Sequence, residues 1–141
     1  VHGQVGVTWT KTIGANLIIV ADDYVVEDKL QQNLMSLTAK NSGAGIRFFT
    51  LQKVIDVINN AAERQKIFIV VKTPKEAKVL VEGGVPIKDI NIGNMHFTKG
   101  KKPLTDKVYV DDEDIKDLDY MKSKGVNLYM QDVPTSKKVE Y

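Results

Sequence analysis

Uninterrupted apolar runs alternate along the chain with stretches whose apolar residues recur every three or four positions. Asn16-Leu17-Ile18-Ile19-Val20 has no polar alternation, which predicts a strand buried on both faces, as in a parallel sheet. Lys66-Ile67-Phe68-Ile69-Val70-Val71 is a stronger run of the same kind. Gly43 and Gly45 break the chain before a further strand expected at Ile46-Arg47-Phe48-Phe49. Between these runs Val26, Leu30, Leu34 and Leu37 recur at helical spacing, as do Leu51, Val54, Ile55, Ile58 and Ala62. Residues 3–12 read as an opening helix.

Thr73-Pro74-Lys75-Glu76 has the form of a capping box with proline at the first helical position, predicting a helix that closes at Gly83-Gly84. A short strand is expected at 89–92, a loop at 93–107 and a strand at Val108-Tyr109-Val110. Asp111, Asp112, Glu113 and Asp114 fill the first turn of a last helix, with Lys122 and Lys124 in its last turn, as the helix dipole favours. Val126, Leu128 and Met130 then alternate with Asn127, Tyr129 and Gln131, which predicts a half-exposed strand at a sheet edge. Residues 136–141 read as a polar tail.

The alternation predicts one α/β domain over residues 1–141. Its sheet is open and mostly parallel, with helices on both faces and an edge strand at the C-terminus. A length of 141 residues suits one core. A net charge of +2 gives no argument for nucleic acid or an anionic membrane surface. The absence of cysteine removes disulfides, thiolate chemistry and cysteine-based zinc sites. No apolar run approaches the ~20 residues of a membrane span.

In such a sheet ligands bind beyond the carboxyl ends of the strands. The residues leaving the strands are Asp22 and Asp23, Thr50, Lys72 and Thr73, and Gly93-Asn94-Met95-His96. His2 would join them if a strand preceded it. His2-Gly3-Gln4-Val5-Gly6 also looks like a loop opening into a helix, where free N–H groups and the positive dipole end would meet an anion on His2. Each has a plainer reading. His2 is a terminal residue, Asp22 or Asp23 caps a helix, Lys72 and Lys99-Gly100-Lys101-Lys102 are solvated charges, and Gly93 answers a backbone requirement.

Several chemistries fall away. Leu17 to Asp23 resembles the strand and acid pair of a receiver domain, but Thr50 and Lys72 stand where a phosphate-accepting aspartate is needed. His2 and His96 are the only histidines, and no ligand pair has metal spacing. No serine sits in a nucleophile elbow, and there is no phosphate-binding loop.

Val1-His2-Gly3-Gln4-Val5, Trp9, Asp22-Asp23, Gly93-Asn94-Met95 and Val108-Tyr109-Val110-Asp111 together carry a resemblance. In this order, from Val1 to about Val133, they resemble the IIB component of the mannose/sorbose family of bacterial sugar phosphotransferase systems. Gly45-Ile46-Arg47-Phe48-Phe49-Thr50, Asn94-Met95-His96-Phe97 and Gln131-Asp132-Val133-Pro134 look most like its N-acetylgalactosamine branch.

The resemblance implies a cytoplasmic phosphocarrier, peripheral to a membrane permease. The family's phosphorylated histidine falls on His2, which would accept a phosphoryl group from a IIA phosphohistidine. It would then pass the group to a sugar held by IIC and IID. Gly3 and Gln4 would hold the anion, Asp22 and Asp23 would orient the His2 loop, and Lys72, Asn94 and His96 would line the rim. No metal or other cofactor is implied. The family also carries a first strand and an arginine before the histidine, and both are expected upstream of Val1. The rival readings are a non-catalytic α/β module that binds an anionic metabolite or nucleotide at the same rim, and a structural subunit.

Overall fold

The computed structural model describes residues 13–60 and 65–141. Strand β1 (Leu17–Ala21) is the axis of a three-stranded sheet. On one side it pairs in parallel with β2 (Gly45–Phe49), Leu17 opposite Gly45. On the other it pairs in parallel with β3 (Ile67–Val70), Leu17 opposite Ile67. The unbroken apolar run of β1 follows from this place, because both its faces are covered. Ile18 and Val20 pack with Val25 and with Ala39 of helix α1 (Lys29–Lys40). Ile19 and Ala21 pack on the opposite face with Val54 of α2 (Leu51–Val57) and Leu80 of α3 (Pro74–Glu82). Removing a side chain such as Ile18 from water is worth roughly 1.5–3 kcal/mol, and a polar residue there would forfeit it.

A second sheet has the order β4 (Asp89–Asn91), β7 (Asn127–Met130), β8 (Val139–Glu140). Strands β4 and β7 are parallel, while β7 and β8 are antiparallel. Its core joins Leu128 and Met130 to Leu118 and Met121 of α4 (Asp112–Ser123). An antiparallel pair, β5 (Lys102–Thr105) with β6 (Val108–Val110), adds Val108 and Val110 to that core. Val71 and Ile87 pack against both cores, so helices α3 and α4 close the two sheets into one body.

The architecture is the α/β fold expected, with four helices among the described residues. Its details correct the reading in five places. The strand at 127–130 does alternate buried and exposed, yet it lies between β4 and β8 and is no edge. The edge strand at the C-terminus is β8, drawn from the polar 136–141 segment. The 93–107 loop contains β5. The Thr73 hydroxyl donates to the Glu76 carboxylate and its oxygen accepts from no backbone N–H, so the two side chains meet each other and the expected capping box does not form.

The fifth correction concerns α1. Met35 and Ala39 face the core, whereas Leu30, Leu34 and Leu37 are 70%, 57% and 66% exposed. At 100° per residue the three leucines form one stripe on the far side of the helix. The expected opening helix at 3–12, and Ala62, lie outside the described residues.

Candidate functional site

Because β1, β2 and β3 are parallel, the segments leaving them emerge at one edge. The turn after β1 is held by its own acids. The Asp22 carboxylate accepts from the Tyr24 and Val25 N–H groups at 2.8 and 3.2 Å, which fixes the 3-10 turn Val25–Glu27. The Asp22 N–H donates to the Phe49 carbonyl at 3.0 Å. The Asp23 carboxylate reaches across to the Leu51 N–H at 2.9 Å. Thr50 caps α2 from its own side, its hydroxyl oxygen accepting from the Lys53 N–H at 3.0 Å. The cap of α1 is Asp28, which accepts from Gln31, and the sequence reading had not singled it out.

Lys72 follows β3 at the same edge, exposed, with no hydrogen bond or ion pair among the described residues. A cation in that state is available to an incoming anion.

Strands β4 and β7 bring a second group together. The Asn91 side chain clasps the Gln131 backbone, Nδ2 donating to the Gln131 carbonyl at 2.9 Å and the Gln131 N–H donating to Oδ1 at 3.1 Å. Gln131 Nε2 then donates to the Pro134 and Ser136 carbonyls at 3.1 and 3.0 Å. Beyond this clasp the chain runs through Gly93, Asn94 and His96, all exposed. Met95 is pinned between them, its N–H on the Lys107 carbonyl at 3.0 Å and its carbonyl taking the Tyr109 N–H at 2.9 Å. Lys107 pairs with Asp132, and this hydrogen bond, then the charge of Asp132, holds the Lys107 ammonium pKa above its ordinary value.

So Asp22, Asp23 and Lys72 share one sheet edge, and Asn94 and His96 share the other. Among the described residues no hydrogen bond or ion pair joins the two sets. His2, Gly3 and Gln4 lie outside the described residues. Sequence reasoning missed the Asn91–Gln131 clasp. Its only trace was a polar residue at the carboxyl end of each of two strands. Phe97, which the sequence offered only as part of a branch motif, sets its ring 5.4 Å from that of Tyr109.

Gly93 departs from the backbone requirement expected of it, since its φ is not in the left-handed region. A cavity of about 320 Å³ at the start of α4 is lined by Gly100, Lys102, Val110, Asp111, Asp112 and Glu113. Three carboxylates there repel a phosphate, so it is no phosphoryl site. Among the described residues no group of three His, Asp or Glu side chains could hold a metal ion.

Comparison with known proteins completes the picture. The profile of the family described as "PTS system sorbose subfamily IIB component" matches residues 1–141. The N-acetylgalactosamine-specific phosphotransferase enzyme IIB component 1 of Escherichia coli strain K12 is 58% identical over 138 residues, spanning 98% of this chain and 87% of that protein. A crystal structure of an Escherichia coli N-acetylgalactosamine-specific IIB component 1 superposes with a TM-score of 0.95 at 56% identity, covering 99% of this chain and 92% of the other. An N-acetyl-galactosamine IIB component from Streptococcus pyogenes gives 0.90 at 43% identity, covering 99% and 87%.

Proposed function

Since the chain belongs to the sorbose subfamily of phosphotransferase-system IIB components, we propose that it is the carrier that moves a phosphoryl group from a IIA partner to an amino sugar. His2 takes the group from a IIA phosphohistidine, one P–N bond breaking as another forms. The second transfer breaks the bond at His2, forms a P–O bond on a sugar hydroxyl and releases the hydroxyl proton. The sugar is N-acetylgalactosamine or a close relative, held by the membrane components IIC and IID, and the carrier works on the cytoplasmic side. The observation that carries this reading is the likeness over nearly the whole chain to an N-acetylgalactosamine-specific IIB component.

Phosphoryl transfer asks the protein chiefly for in-line positioning and charge stabilisation. The N–H groups of Gly3 and Gln4 supply stabilisation next to His2. Asp22 and Asp23 act as positioning residues, while Lys72, Asn94 and His96 line the approach. Residues 1–141 form a single IIB domain in this reading. No described helix is long and apolar enough to cross a membrane.

Intact-mass measurement tests the proposal. The full-length protein is incubated with the general phosphotransferase proteins, charged IIA and phosphoenolpyruvate, beside its His2→Ala variant. A single acid-labile phosphate on the first protein alone is the expected result. An adduct on both moves the site to another residue, with His96 the first to replace. No adduct on either overturns the carrier role.

A further inference from the structure

We infer that the outer face of α1 pairs with the same face of a second copy of this chain, the two helices running antiparallel. Three observations carry the pairing, and it stands whether or not the chain carries phosphate.

The first is the spacing of the exposed leucines. Leu30, Leu34 and Leu37 are separated by four and then three residues, the alternation of a seam between two paired helices. None of them belongs to a core of the described residues, and all three stand on the side of α1 turned away from Met35 and Ala39. The second is the absence of charge around that seam. Charged residues make up 27% of the chain, yet residues 30–39 hold none. A helix face that meets only water ordinarily carries some of them. Gln31 and Asn33 flank the leucines instead, and the Thr38 hydroxyl already donates to the Leu34 carbonyl at 3.2 Å. A second helix can therefore lie against this face without burying an unpaired charge.

The third observation decides the occupant. Before the seam stand Asp22, Asp23, Glu27 and Asp28 against Lys29 alone, while after it come Lys40 and then Arg47, with no acid up to Phe49. Among the described residues none of Glu27, Asp28, Lys29 and Lys40 is in an ion pair. Setting Leu30 opposite Leu37 of a second copy, in antiparallel order, brings each Lys40 to the acidic end of the other helix, nearest its Glu27. The helix dipoles then oppose each other as well. A parallel pair would set like ends together. An anionic lipid surface would meet the acids along with Lys29, so the charges favour the two-fold match. One 12-residue helix from each copy, about 18 Å long, makes less than a standard interface, so the pair is weak. In dilute solution the leucines lie bare. The start of α1 lies at the edge that carries Asp22 and Asp23, so antiparallel pairing turns the two rims to opposite ends and leaves both open.

Sedimentation equilibrium of the full-length protein, from about 10 μM to about 1 mM, tests the pairing. The weight-average mass should climb from one copy toward two, with a dissociation constant on the order of 0.1 mM. Leu34→Glu sets like charges at the middle of the seam and should raise that constant about tenfold or more. Its Tm in dilute solution should stay near that of the parent. Lys40→Glu should weaken pairing too, and Glu27→Lys in the same chain should return part of the loss. A parent that stays at one copy throughout overturns the inference. So does a dimer that Leu34→Glu leaves intact, and so does a Lys40→Glu loss that Glu27→Lys fails to reduce. A monomeric parent that sediments with phosphatidylglycerol vesicles gives the leucines to a lipid surface and overturns the pairing as well.

Discussion

The Asp23 carboxylate accepts a hydrogen bond from the Leu51 N–H at 2.9 Å, tying the turn after β1 to the first residue of a helix 28 residues later. That N–H is one of the donors a helix start cannot satisfy internally. Thr50 serves the Lys53 N–H, and Asp23 serves Leu51 from a distance. Asp23→Ala should therefore cost about 1 kcal/mol, the usual worth of such a bond. Asp23→Asn keeps an acceptor and should cost less. Urea unfolding of both variants checks the order, and equal losses would mean that the bond does not act.

Gly83 closes α3 with φ −78° and ψ 0°, which alanine can adopt. Space is what forbids it, because a Cβ would sit 2.5 Å from Ile55 Cδ1 and 2.7 Å from Ile55 Cγ1. Gly83→Ala should destabilise by roughly 1–3 kcal/mol through overpacking. Trimming the obstacle with Ile55→Val in the same chain should return part of the loss. Independent, additive effects in a double-variant cycle would argue against the clash.

At the start of α4, Asp111 and Asp114 cap each other's N–H groups at 2.8 and 3.1 Å. The Asp114 N–H, opposed by partial burial and aided by the charge of Lys101, holds the Asp111 carboxyl pKa below its ordinary value. A lowered folded pKa means that this stabilisation is present above the unfolded value and is lost as pH falls through the folded one. Asp111→Asn retains the cap without the titration. It should match the parent at neutral pH and lose Tm less steeply below about pH 4. Parallel acid slopes would refute the role.

Tyr141 predicts the opposite sign. Burial first, then the hydrogen bond from its hydroxyl to the Asp119 carboxylate at 2.7 Å, push the phenol up to about 12. Its stabilisation is full below the ordinary phenol value of about 10 and fades as pH rises toward that higher figure. Tyr141→Phe should cost about 1 kcal/mol at neutral pH and remove the alkaline loss. A phenolate titration by ultraviolet absorbance, run beside thermal unfolding, checks both.

The leucine stripe of α1 gives a prediction of little change. Leu30, Leu34 and Leu37 bury little, so replacing all three with Gln should leave the unfolding free energy of the isolated protein within about 0.5 kcal/mol. A loss of several kcal/mol would show that the stripe is covered.

These cases show what the residues announced and what they withheld. The four apolar residues Leu17 to Val20 located β1 to within one residue, because a strand buried on both faces admits nothing polar. Helical spacing placed α1 but not its direction, since a period reports which residues share a face and not what that face meets. Strands β5 and β8 were hidden, being short, polar and defined by their partners. Of the site, the strand-end rule picked out Asp22, Asp23, Lys72, Asn94 and His96. It had no means of seeing that Asp23 would hold a helix start, or that Asn91 and Gln131 would clasp across two strands 40 residues apart.

The central place of β1 also sets a timetable. Its two neighbours are paired at Gly45 and Ile67, 28 and 50 residues beyond Leu17. A chain emerging from the ribosome must hold one side of this apolar strand unpaired until the segment ending at Val70 has been delivered. Pairings this distant in sequence form slowly, because the loop must close before any contact rewards it. Arrest of synthesis between β2 and β3 should thus leave β1 half-paired and open to other chains, which makes this interval the one in which the nascent protein most needs a chaperone.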